Sequence, residues 1–595
     1  MFAGTLAATF ALLVAPSIAA AEPKPFGHAC KLEHGVRFCP TVSLSERVPT
    51  FDGVPLDADV TLPETGEGPF PAIVMIHGWG GSKTDFEAST AAGNGNDTFD
   101  YNNIYYAQHG FAVLNYSARG WARSCGQKSS REGAPGCAKG WIHLADQRFE
   151  ARDTQYLFGL LADEKIVNPK SLGTTGISYG GGQSIELAYL KNQIRGAKGE
   201  FLPWTSPKGK AMEIKAAYPR WPWSDLIDAL TPNGRFLDTE IAPPHQSYEP
   251  FGVEIQSYNA GLYALGNAEP PVSSGGYYAP PGEDPEADIS KWFAATNAGE
   301  PVSKEDEEIA KQIYNYHQGY GLPGTPAPML IQNGWTDDLF APEQALRVYN
   351  SVRALKGAVT LQFGDLGHSR GSNKENTDRA FQDEGAAFFA ARLEHVGTAP
   401  PSLKVTAYTQ TCPKSAPGGG PFAASIWSKL HPHSVSFGSP GAQMFTGAGG
   451  NATIAAEFDP IANTDACKTV KAETEANTAN YTMTSTGFTL MGLPTVKATV
   501  KATNAPMLPG QIDARLWDVT PGAEPTQRLI SRSVYRLLDG QSGTITFQLH
   551  GNGYVFPAGD TVKLQLLGRD APYYRASNGE FAVEVTNLTV SLPTT

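Results

Sequence analysis

A serine between two glycines is the residue best placed to act as a nucleophile in this chain. Residues 176–180 read Gly-Ile-Ser-Tyr-Gly, with Ser178 at the centre. Residues 170–175 before them predict a short buried strand, and the apolar spacing of residues 181–190 after them predicts a helix. Gly-x-Ser-x-Gly between a strand and a helix is typical of a nucleophile elbow, a sharp turn that exposes the hydroxyl. The alternative is a glycine-rich turn that merely contains a serine, and the flanking elements favour the nucleophile.

A serine hydroxyl needs a base to take its proton and a carboxylate to orient that base. Where such an elbow occurs, the order along the chain is Ser, then Asp or Glu, then His. Asp337 follows a predicted strand at 329–332, and His368 follows one at 359–363. Catalytic groups collect at the carboxyl ends of parallel strands. We therefore predict that Asp337 orients His368 as the base for Ser178.

Two neighbouring acids are alternatives for the orienting carboxylate. Asp338 could take this part, and Asp337 would then cap the helix that follows. Asp365 lies on the same loop as His368, where we expect it to brace the turn. A histidine after glycine is usually solvated, so the assignment of His368 depends on its position in the ordered set of three.

The charge that develops on an attacked carbonyl oxygen needs two hydrogen-bond donors. One predicted donor is the backbone N–H of Tyr179, which follows the candidate nucleophile. The other is the backbone N–H of Trp79, in the loop 77–81, which reads His-Gly-Trp-Gly-Gly and follows a predicted strand. The alternative for this loop is a glycine turn around a packed tryptophan.

The elements that must position these residues alternate between strand and helix from residue 51 to about 396. Further predicted strands lie at 72–76 and 111–116, and helices at 146–162 and 342–355. This alternation predicts an α/β fold class, with a parallel sheet covered on both faces. We assign this domain to residues 22–399.

Two regions depart from this alternation. The segment from about 218 to 326 is rich in Pro, Gly and aromatic residues and too long for one loop, so we predict a largely helical cap insertion. It could also be a structural subdomain without substrate contact. Over residues 400–595, short runs alternate between apolar and polar residues, for example at 496–501 and 581–585, which predicts an all-β sandwich.

Together these motifs resemble the Xaa-Pro dipeptidyl-peptidase and cocaine-esterase family of serine hydrolases. The motifs that carry the resemblance lie at 119–126, 176–181, 334–337 and 367–368. It spans about residues 50 to 590 and implies an α/β-hydrolase core, a helical cap and a C-terminal jelly roll. It also implies the catalytic residues Ser178, Asp337 and His368. Members commonly use a tyrosine hydroxyl on the first loop as an oxyanion donor, whereas this loop carries Trp79.

The N-terminal residues predict export. Residues 2–21 form an apolar run that ends in three alanines, as a secretory signal with an Ala-x-Ala cleavage site does, although the usual basic start is missing, and we predict a signal peptide over residues 1–21. A membrane anchor is the alternative, but Pro16 breaks the run and leaves too few apolar residues to span a bilayer. We therefore expect a secreted, extracellular protein with no membrane anchor after cleavage.

Charge and cysteine content limit the partners further. The formal net charge of −13 argues against nucleic acid and anionic membranes as partners. No Cys-x-x-Cys pair occurs and the histidines are scattered, so we expect neither a zinc site nor a cofactor. Spacing alone does not fix the connectivity of six cysteines, and proximity favours these pairs: Cys30–Cys39, Cys125–Cys137 and Cys412–Cys467.

We rank a secreted hydrolase of acyl esters or amides first, with a small-molecule ester or a peptide as its substrate. A dipeptidyl-peptidase is the alternative, and it needs an acid near Ser178 to bind a free α-ammonium. Four acids of the insertion are candidates that the sequence does not place: Asp225, Asp228, Asp238 and Glu240. A third alternative, an inert protein that binds glycan or cell wall, conflicts with the intact order of serine, acid and histidine. The oligomeric state stays open.

Overall fold

The computed structural model describes residues 22–241, 249–462 and 465–595. The predicted signal segment, residues 1–21, lies outside the described residues. A large mixed sheet and two antiparallel sheets contain most of the described strands.

The central sheet has eleven strands within the described ranges. In chain order they are β1 Lys31–Glu33, β2 Val36–Cys39, β3 Ala58–Pro63, β4 Phe70–Ile76, β5 Ala112–Tyr116, β6 Val167–Ile177, β7 Ile214–Arg220, β8 Met329–Gly334, β9 Val359–Gly364, β10 Val405–Thr409 and β11 Gly419–Ala424. Neighbouring strands follow the order β1-β2-β3-β5-β4-β6-β7-β8-β9-β10-β11. From β5 to β10 in this order the strands are parallel, and the outer pairs are antiparallel.

Both faces of this sheet are covered, as the sequence predicts. Along β4, Ile73 and Met75 pack into one core cluster, and Val74 and Ile76 pack into another on the opposite face. A strand buried on both sides has no place for polar residues, which is why β4 is a continuous apolar run.

Helices of the core lie on these two faces. The first cluster includes residues of α1 Asn103–Gln108 and α9 Glu375–Phe389. The second includes residues of α2 Glu150–Asp163, α3 Tyr179–Leu190 and α8 Pro342–Ala354. The parallel register places the ends of four strands near one edge of the sheet: Ile76, Ile177, Gly334 and Gly364.

In the described part of the segment between β7 and β8 the regular elements are helices, as predicted for the cap, but long irregular stretches join them. Its helices are α4 Leu226–Leu230, α5 Gln256–Gly266, α6 Ile289–Ala298 and α7 Lys304–Tyr316. Ser303 and Asp306 form a capping box that begins α7. Tyr218, the predicted start of the insertion, is a buried residue of β7, so the insertion begins after Arg220. Below, "the cap" denotes residues 221–328.

The C-terminal region is the predicted all-β sandwich. One sheet contains Ser542–Gln548, Thr495–Asn504, Phe581–Thr594, Phe488–Gly492 and Asn552–Phe556 in this order, and His433–Ser439 and Gln443–Thr446 pair with Phe581–Thr594. The other contains Thr469–Lys471, Thr526–Arg536, Gln511–Val519, Thr561–Leu567 and Ala479–Thr484. Alternate residues point into the core between the sheets, among them Val496, Val500, Leu516, Leu564 and Val585.

The sheets change later in the chain than the predicted division at residue 399. β10 pairs with β9 and β11 pairs with β10, so the chain leaves the central sheet only after Ala424. The division of the chain into domains stays a prediction, and this pairing favours a later point for it.

The six cysteines form the three disulfides predicted from proximity: Cys30–Cys39, Cys125–Cys137 and Cys412–Cys467. Cys412 follows β10, so the last of these joins the sandwich to the end of the central sheet. Among the described residues, no helix is both long and apolar enough to cross a membrane.

Candidate active site

Ser178 stands between β6 and α3 in a backbone conformation that side chains rarely adopt. Its φ is 58° and its ψ is −112°. β6 ends at Ile177 and α3 begins at Tyr179, so the serine occupies the turn itself. Such strain persists only where the surrounding structure enforces it, and it is frequent at functional residues.

The two glycines of the motif allow this turn. A Cβ on Gly180 would lie 2.0 Å from the backbone oxygen of Ile76, and a Cβ on Gly176 would lie 2.5 Å from the same atom. Any side chain at either position would push β4 away from the start of α3. The glycines therefore keep strand and helix close and leave Ser178 at the carboxyl edge of the sheet.

The structure brings the three predicted residues together. His368 Nε2 lies 2.7 Å from Ser178 Oγ, and His368 Nδ1 lies 2.7 Å from Asp337 Oδ2. Because an ionised carboxylate only accepts, Nδ1 carries a proton and Nε2 accepts from the serine hydroxyl. The Asp337 side chain is fully buried, whereas 15% of the His368 side chain is exposed. This geometry can move a proton from the serine to an oriented base.

Two backbone amides hold the other oxygen of Asp337. The N–H groups of Leu339 and Phe340 donate to Oδ1, each at 2.9 Å. The Phe340 ring also meets the His368 ring edge-on, with centroids 5.1 Å apart. The sequence pattern did not predict these contacts, because backbone donors leave no signal in the residue type.

Asp338 binds a pair of buried arginines. Arg370 donates to its carboxylate at 2.8 and 3.1 Å, and Arg532 Nη2 lies 3.0 Å from Oδ2. Burial alone would raise the pKa of Asp338, but the two guanidiniums outweigh burial and hold this pKa below its ordinary value. The carboxylate of Asp338 is thus bound in a buried cluster with Arg370 and Arg532.

Asp365 braces the turn, as expected. It accepts from the Thr336 hydroxyl at 2.8 Å and from the Ser372 N–H at 3.0 Å. Within the described ranges, no hydrogen bond joins Asp338 or Asp365 to His368. The geometry therefore favours Asp337 as the orienting carboxylate.

His77 fixes the first loop through a single tautomer. Burial lowers its pKa, which favours the neutral ring. Nε2 accepts from the Ala118 N–H at 2.9 Å, and this leaves Nδ1 to donate to the Gly78 carbonyl at 2.7 Å. The Gly81 N–H donates to the same carbonyl at 3.1 Å. The sequence pattern did not predict a role for His77, although its position directly after β4, at the carboxyl end of a parallel strand, could have indicated one.

These bonds also orient the peptide between Gly78 and Trp79. The carbonyl and N–H of a trans peptide point in opposite directions, so a pinned Gly78 oxygen aims the Trp79 N–H away from His77. The Trp79 indole N–H donates to Leu262 of the cap at 2.9 Å. In the described part of the chain, neither the Trp79 nor the Tyr179 backbone N–H has a hydrogen-bond acceptor.

A pocket that opens to solvent lies beside Ser178, and its empty space together with its open mouth measures about 860 Å³. Its lining is almost wholly apolar and includes Trp79, Leu230, Leu262, Phe293, Leu339 and Phe340. Thr231, Asn259 and Thr296 add small polar side chains. Among the described residues that line it, none carries a charge.

The four candidate acids of the insertion have other contacts. Asp228 pairs with Arg347 at 2.8 Å, and Asp238 accepts from the Trp427 indole at 2.7 Å. Asp225 caps α4, and Glu240 is exposed.

A different acid lies behind the pocket. Glu254 is buried and accepts from Asn259 at 3.1 Å and from Thr296 at 3.4 Å, two side chains of the pocket wall. Burial raises the pKa of Glu254. The sequence pattern did not single it out.

A second buried carboxyl lies beneath the turn at Ser178. The Tyr179 hydroxyl donates to Glu150 at 3.2 Å and accepts from the Ala145 N–H at 3.1 Å. Burial raises the pKa of Glu150 to about 7. The hydroxyl of Tyr179 is thus bound inside the core.

Comparison with known proteins gives one family and several similar structures. Residues 52–195, which include the first loop and Ser178, match the family model of the X-Pro dipeptidyl-peptidases (S15 family). No curated protein matches the chain.

Three solved structures are similar over nearly their whole length. A CocE/NonD family hydrolase from Staphylococcus aureus is 12% identical, with a TM-score of 0.55, and the match covers 95% of this chain and 97% of that one. An α-amino acid ester hydrolase is 15% identical, with a TM-score of 0.57 and coverage of 98% and 100%. An aminopeptidase from a marine sediment archaeon, Thaumarchaeota archaeon, is 13% identical, with a TM-score of 0.57 and coverage of 97% and 98%.

The match over the first part of the chain and the shared fold point to the same group. At these identities the structures establish the fold, and the family model adds the segment that contains the turn at Ser178. The predicted resemblance to the Xaa-Pro dipeptidyl-peptidase and cocaine-esterase family of α/β-hydrolase fold proteins is confirmed.

Proposed function

We propose that this chain is a secreted serine hydrolase that cleaves esters with an uncharged, apolar acyl group. The observation that carries this proposal is the pair of 2.7 Å hydrogen bonds that link Ser178 to His368 and His368 to Asp337. The family match over residues 52–195 supports the broader statement that the chain is a hydrolase of esters or peptides.

In the proposed reaction, Ser178 Oγ attacks the ester carbonyl while its proton passes to His368 Nε2. The carbonyl π electrons move to oxygen and form a tetrahedral oxyanion. When the C–O bond to the alcohol breaks, His368 returns the proton to the leaving oxygen and an acyl-enzyme remains. A water then repeats these steps, releases the acid and restores the serine. Asp337 keeps Nδ1 protonated throughout and stabilises the imidazolium.

The backbone N–H groups of Trp79 and Tyr179 are the proposed oxyanion donors. Gly78 is close to the nucleophile, since a Cβ on it would lie 3.9 Å from Ser178 Cβ. The free Trp79 N–H and the pinned Gly78 carbonyl support a donor that is oriented before substrate binds. The Trp79 indole is bound to the cap, so in this chain the side chain does not supply the donor.

The pocket supports an apolar acyl group. An α-ammonium placed in an apolar site without a partner loses its hydration, which makes binding costly. A dipeptidyl-peptidase needs such a partner, and the described charged residues do not line the pocket.

The dipeptidyl-peptidase remains the second candidate because of Glu254. This carboxyl is one side chain away from the pocket, behind Asn259 and Thr296. A shift of Asn259 would expose it to a bound ammonium. An inert protein that binds glycan or cell wall is the third candidate. It does not account for the hydrogen bond between Ser178 and His368.

Export is part of the proposal. The apolar segment 1–21 supports a secretory signal, and three disulfides fit an oxidising compartment.

Labelling with a fluorophosphonate probe tests the catalytic assignment. The wild-type protein should be labelled at Ser178, and Ser178→Ala should lose both the label and at least about 10⁴-fold in kcat. Ser184→Ala is the matched control: this buried hydroxyl of α3 bonds to Gly180 O and has no contact with His368. Wild-type protein that resists the probe would favour the inert binding protein.

Substrate comparison separates the two enzymes. We expect p-nitrophenyl butyrate and benzoate to be cleaved with kcat/KM at least about tenfold above that of Gly-Pro and Ala-Pro p-nitroanilides, a difference of about 1.4 kcal/mol. An anilide that exceeds the esters, loses this advantage on N-acetylation and loses it again in Glu254→Gln would establish the dipeptidyl-peptidase instead.

A further inference from the structure

The β-sandwich reaches the proposed catalytic residues through buried charges. Asp338 directly follows Asp337, and Arg370 comes two residues after His368. The ion pair between Asp338 and Arg370, at 2.8 Å, therefore joins the loop after β8 (residues 335–341, the acid loop) to the loop after β9 (residues 365–374, the histidine loop). Arg532, from the sandwich strand Thr526–Arg536, lies 3.0 Å from the same carboxylate.

Further bonds join these loops to the sandwich. The Tyr573 hydroxyl donates to the backbone oxygen of Asp338 at 2.6 Å. The Arg532 guanidinium lies over the Tyr573 ring at 4.1 Å from its centroid. Arg370 also donates to the backbone oxygen of Leu529, on the same strand as Arg532, at 3.4 Å. Both the side chain and the backbone of Asp338 are thus bound by the sandwich.

The charged side chains of this cluster are buried, so each depends on its partners there. The side chains of Asp338, Arg370 and Arg532 are between 0% and 3% exposed. Removal of one partner from a buried charge cluster leaves the others uncompensated, so the loops would shift to restore their partners or water. A shift of this loop moves Asp337, its immediate neighbour, away from His368.

We propose that Arg532 of the β-sandwich is a positioning residue for the catalytic pair: by holding Asp338, it sets the place of Asp337 and hence the orientation of His368. This rests on the proposed function. The sandwich contributes no residue to the lining of the pocket beside Ser178, so its effect should fall on turnover rather than on substrate binding.

The same strand supplies a matched control. Arg536 is four residues along and is also buried, and it pairs with Glu300 of the cap and donates to the Gly252 carbonyl at 2.9 Å. It joins the sandwich to the cap without touching the acid or histidine loop. Arg532→Met and Arg536→Met each remove one buried guanidinium from one strand.

The test measures kcat, KM and the pH profile of p-nitrophenyl butyrate hydrolysis, with active sites counted by fluorophosphonate titration. Arg532→Met should lower kcat by about tenfold per titrated site with KM unchanged. Its acid limb in kcat/KM should move to lower pH, because a displaced Asp337 stabilises the imidazolium of His368 less. Arg536→Met should lower the melting temperature comparably and keep the wild-type kcat and acid limb.

The outcomes separate the two proposals. Wild-type protein that the probe does not label refutes the proposed function. Labelled wild-type protein, with Arg532→Met and Arg536→Met equal in kcat and acid limb, overturns the positioning role. If Arg532→Met does not fold, Arg532→Lys takes its place. Lysine keeps the charge but not the geometry of the guanidinium, so the same two readouts should change in the same direction, and unchanged values overturn the proposal.

Discussion

The cap and the β-sandwich both meet the loops around Ser178, but with opposite chemistry. The cap offers apolar side chains such as Leu230 and Phe293, which line the pocket. The sandwich offers Arg532 and Tyr573, which bind the backbone and carboxylate of Asp338. One region faces the pocket beside Ser178, and the other faces the loop that contains Asp337 and Asp338.

This difference suggests a division of labour. Apolar contacts are weakly directional, so under the proposed function the cap would accept different acyl groups of suitable size. Buried ion pairs depend strongly on geometry, so the sandwich can hold a loop in one place. Substitutions in the cap should therefore change binding, and substitutions toward the sandwich should change turnover.

The largest expected effect separates two adjacent acids that face these two directions. Asp337→Asn should lower kcat by about 10⁴-fold, because an amide favours the wrong tautomer of His368. Asp338→Asn should cost only about tenfold, since it weakens the hold of Arg370 and Arg532 and displaces Asp337 slightly but leaves its carboxylate available to His368. Steady-state kinetics of both variants on one ester give the ranking. The reverse ranking would mean that Asp338 orients the base.

The main elements and the proposed catalytic residues could be predicted from the sequence because their signals are local. The apolar run of β4 and the elbow around Ser178 each lie within a dozen residues. Asp337 and His368 were recognised because they follow predicted strands in the expected order. The structure then brings them within 2.7 Å of one another, as this order implies.

Contacts between distant segments left no such signal. Arg532 and Asp338 are separated by almost two hundred residues, and any surface arginine would read the same in sequence. β10 and β11 lie beyond the predicted division at 399, because the pairing of β10 with β9 and of β11 with β10 depends on the whole sheet. The tautomer of His77 depends on an amide of Ala118, which no side-chain pattern reports.

The second prediction tests whether His77, a residue of the core, orients the first loop. His77→Leu should lower kcat by about 10- to 100-fold with little change in KM. The Gly78 carbonyl would lose a hydrogen-bond donor, so the Trp79 N–H would no longer be held in one orientation. His28→Leu is the control: this buried histidine bonds to Glu46 O, far along the chain from the loop. It should lower stability without a change in kcat. Equal kcat losses in both variants would contradict the role of His77.

A smaller effect should come from the cap. Phe293 lines the pocket, is only partly buried and stacks on Tyr263 with centroids 4.3 Å apart. Phe293→Ala should raise KM for apolar esters by about tenfold, or about 1.4 kcal/mol, with kcat nearly unchanged. Leu202→Ala, at an exposed apolar side chain outside the pocket lining, should leave both constants at their wild-type values. A loss in kcat rather than KM would place turnover, and not binding, under the control of the cap.

The smallest effect concerns two buried carboxyls, one beneath the turn at Ser178 and one in the sandwich. Burial raises the pKa of Glu150 to about 7, and burial together with the nearby Asp570 raises the pKa of Asp513 to about 8. Both folded-state values lie above the ordinary carboxyl range near 4, so the stability linked to these protons is fully present below about pH 4. It is lost as the pH rises through 7 for Glu150 and through 8 for Asp513.

An asparagine side chain cannot ionise. The variant Asp513→Asn should therefore not lose the stability that wild-type protein loses when Asp513 ionises. Asp513→Asn should melt within a degree or two of wild type at pH 5 and a few degrees above it at pH 8.5, as measured by calorimetry at both pH values. Gln511 donates to both oxygens of Asp513 at 3.0 and 3.1 Å, and one amide oxygen can still accept. For Glu150→Gln, the difference in melting temperature from wild type should grow with pH in the same way, with its midpoint about one pH unit lower. A difference in melting temperature that is equal at pH 5 and pH 8.5 would mean that Asp513 is ionised throughout, held so by the neighbouring Arg515.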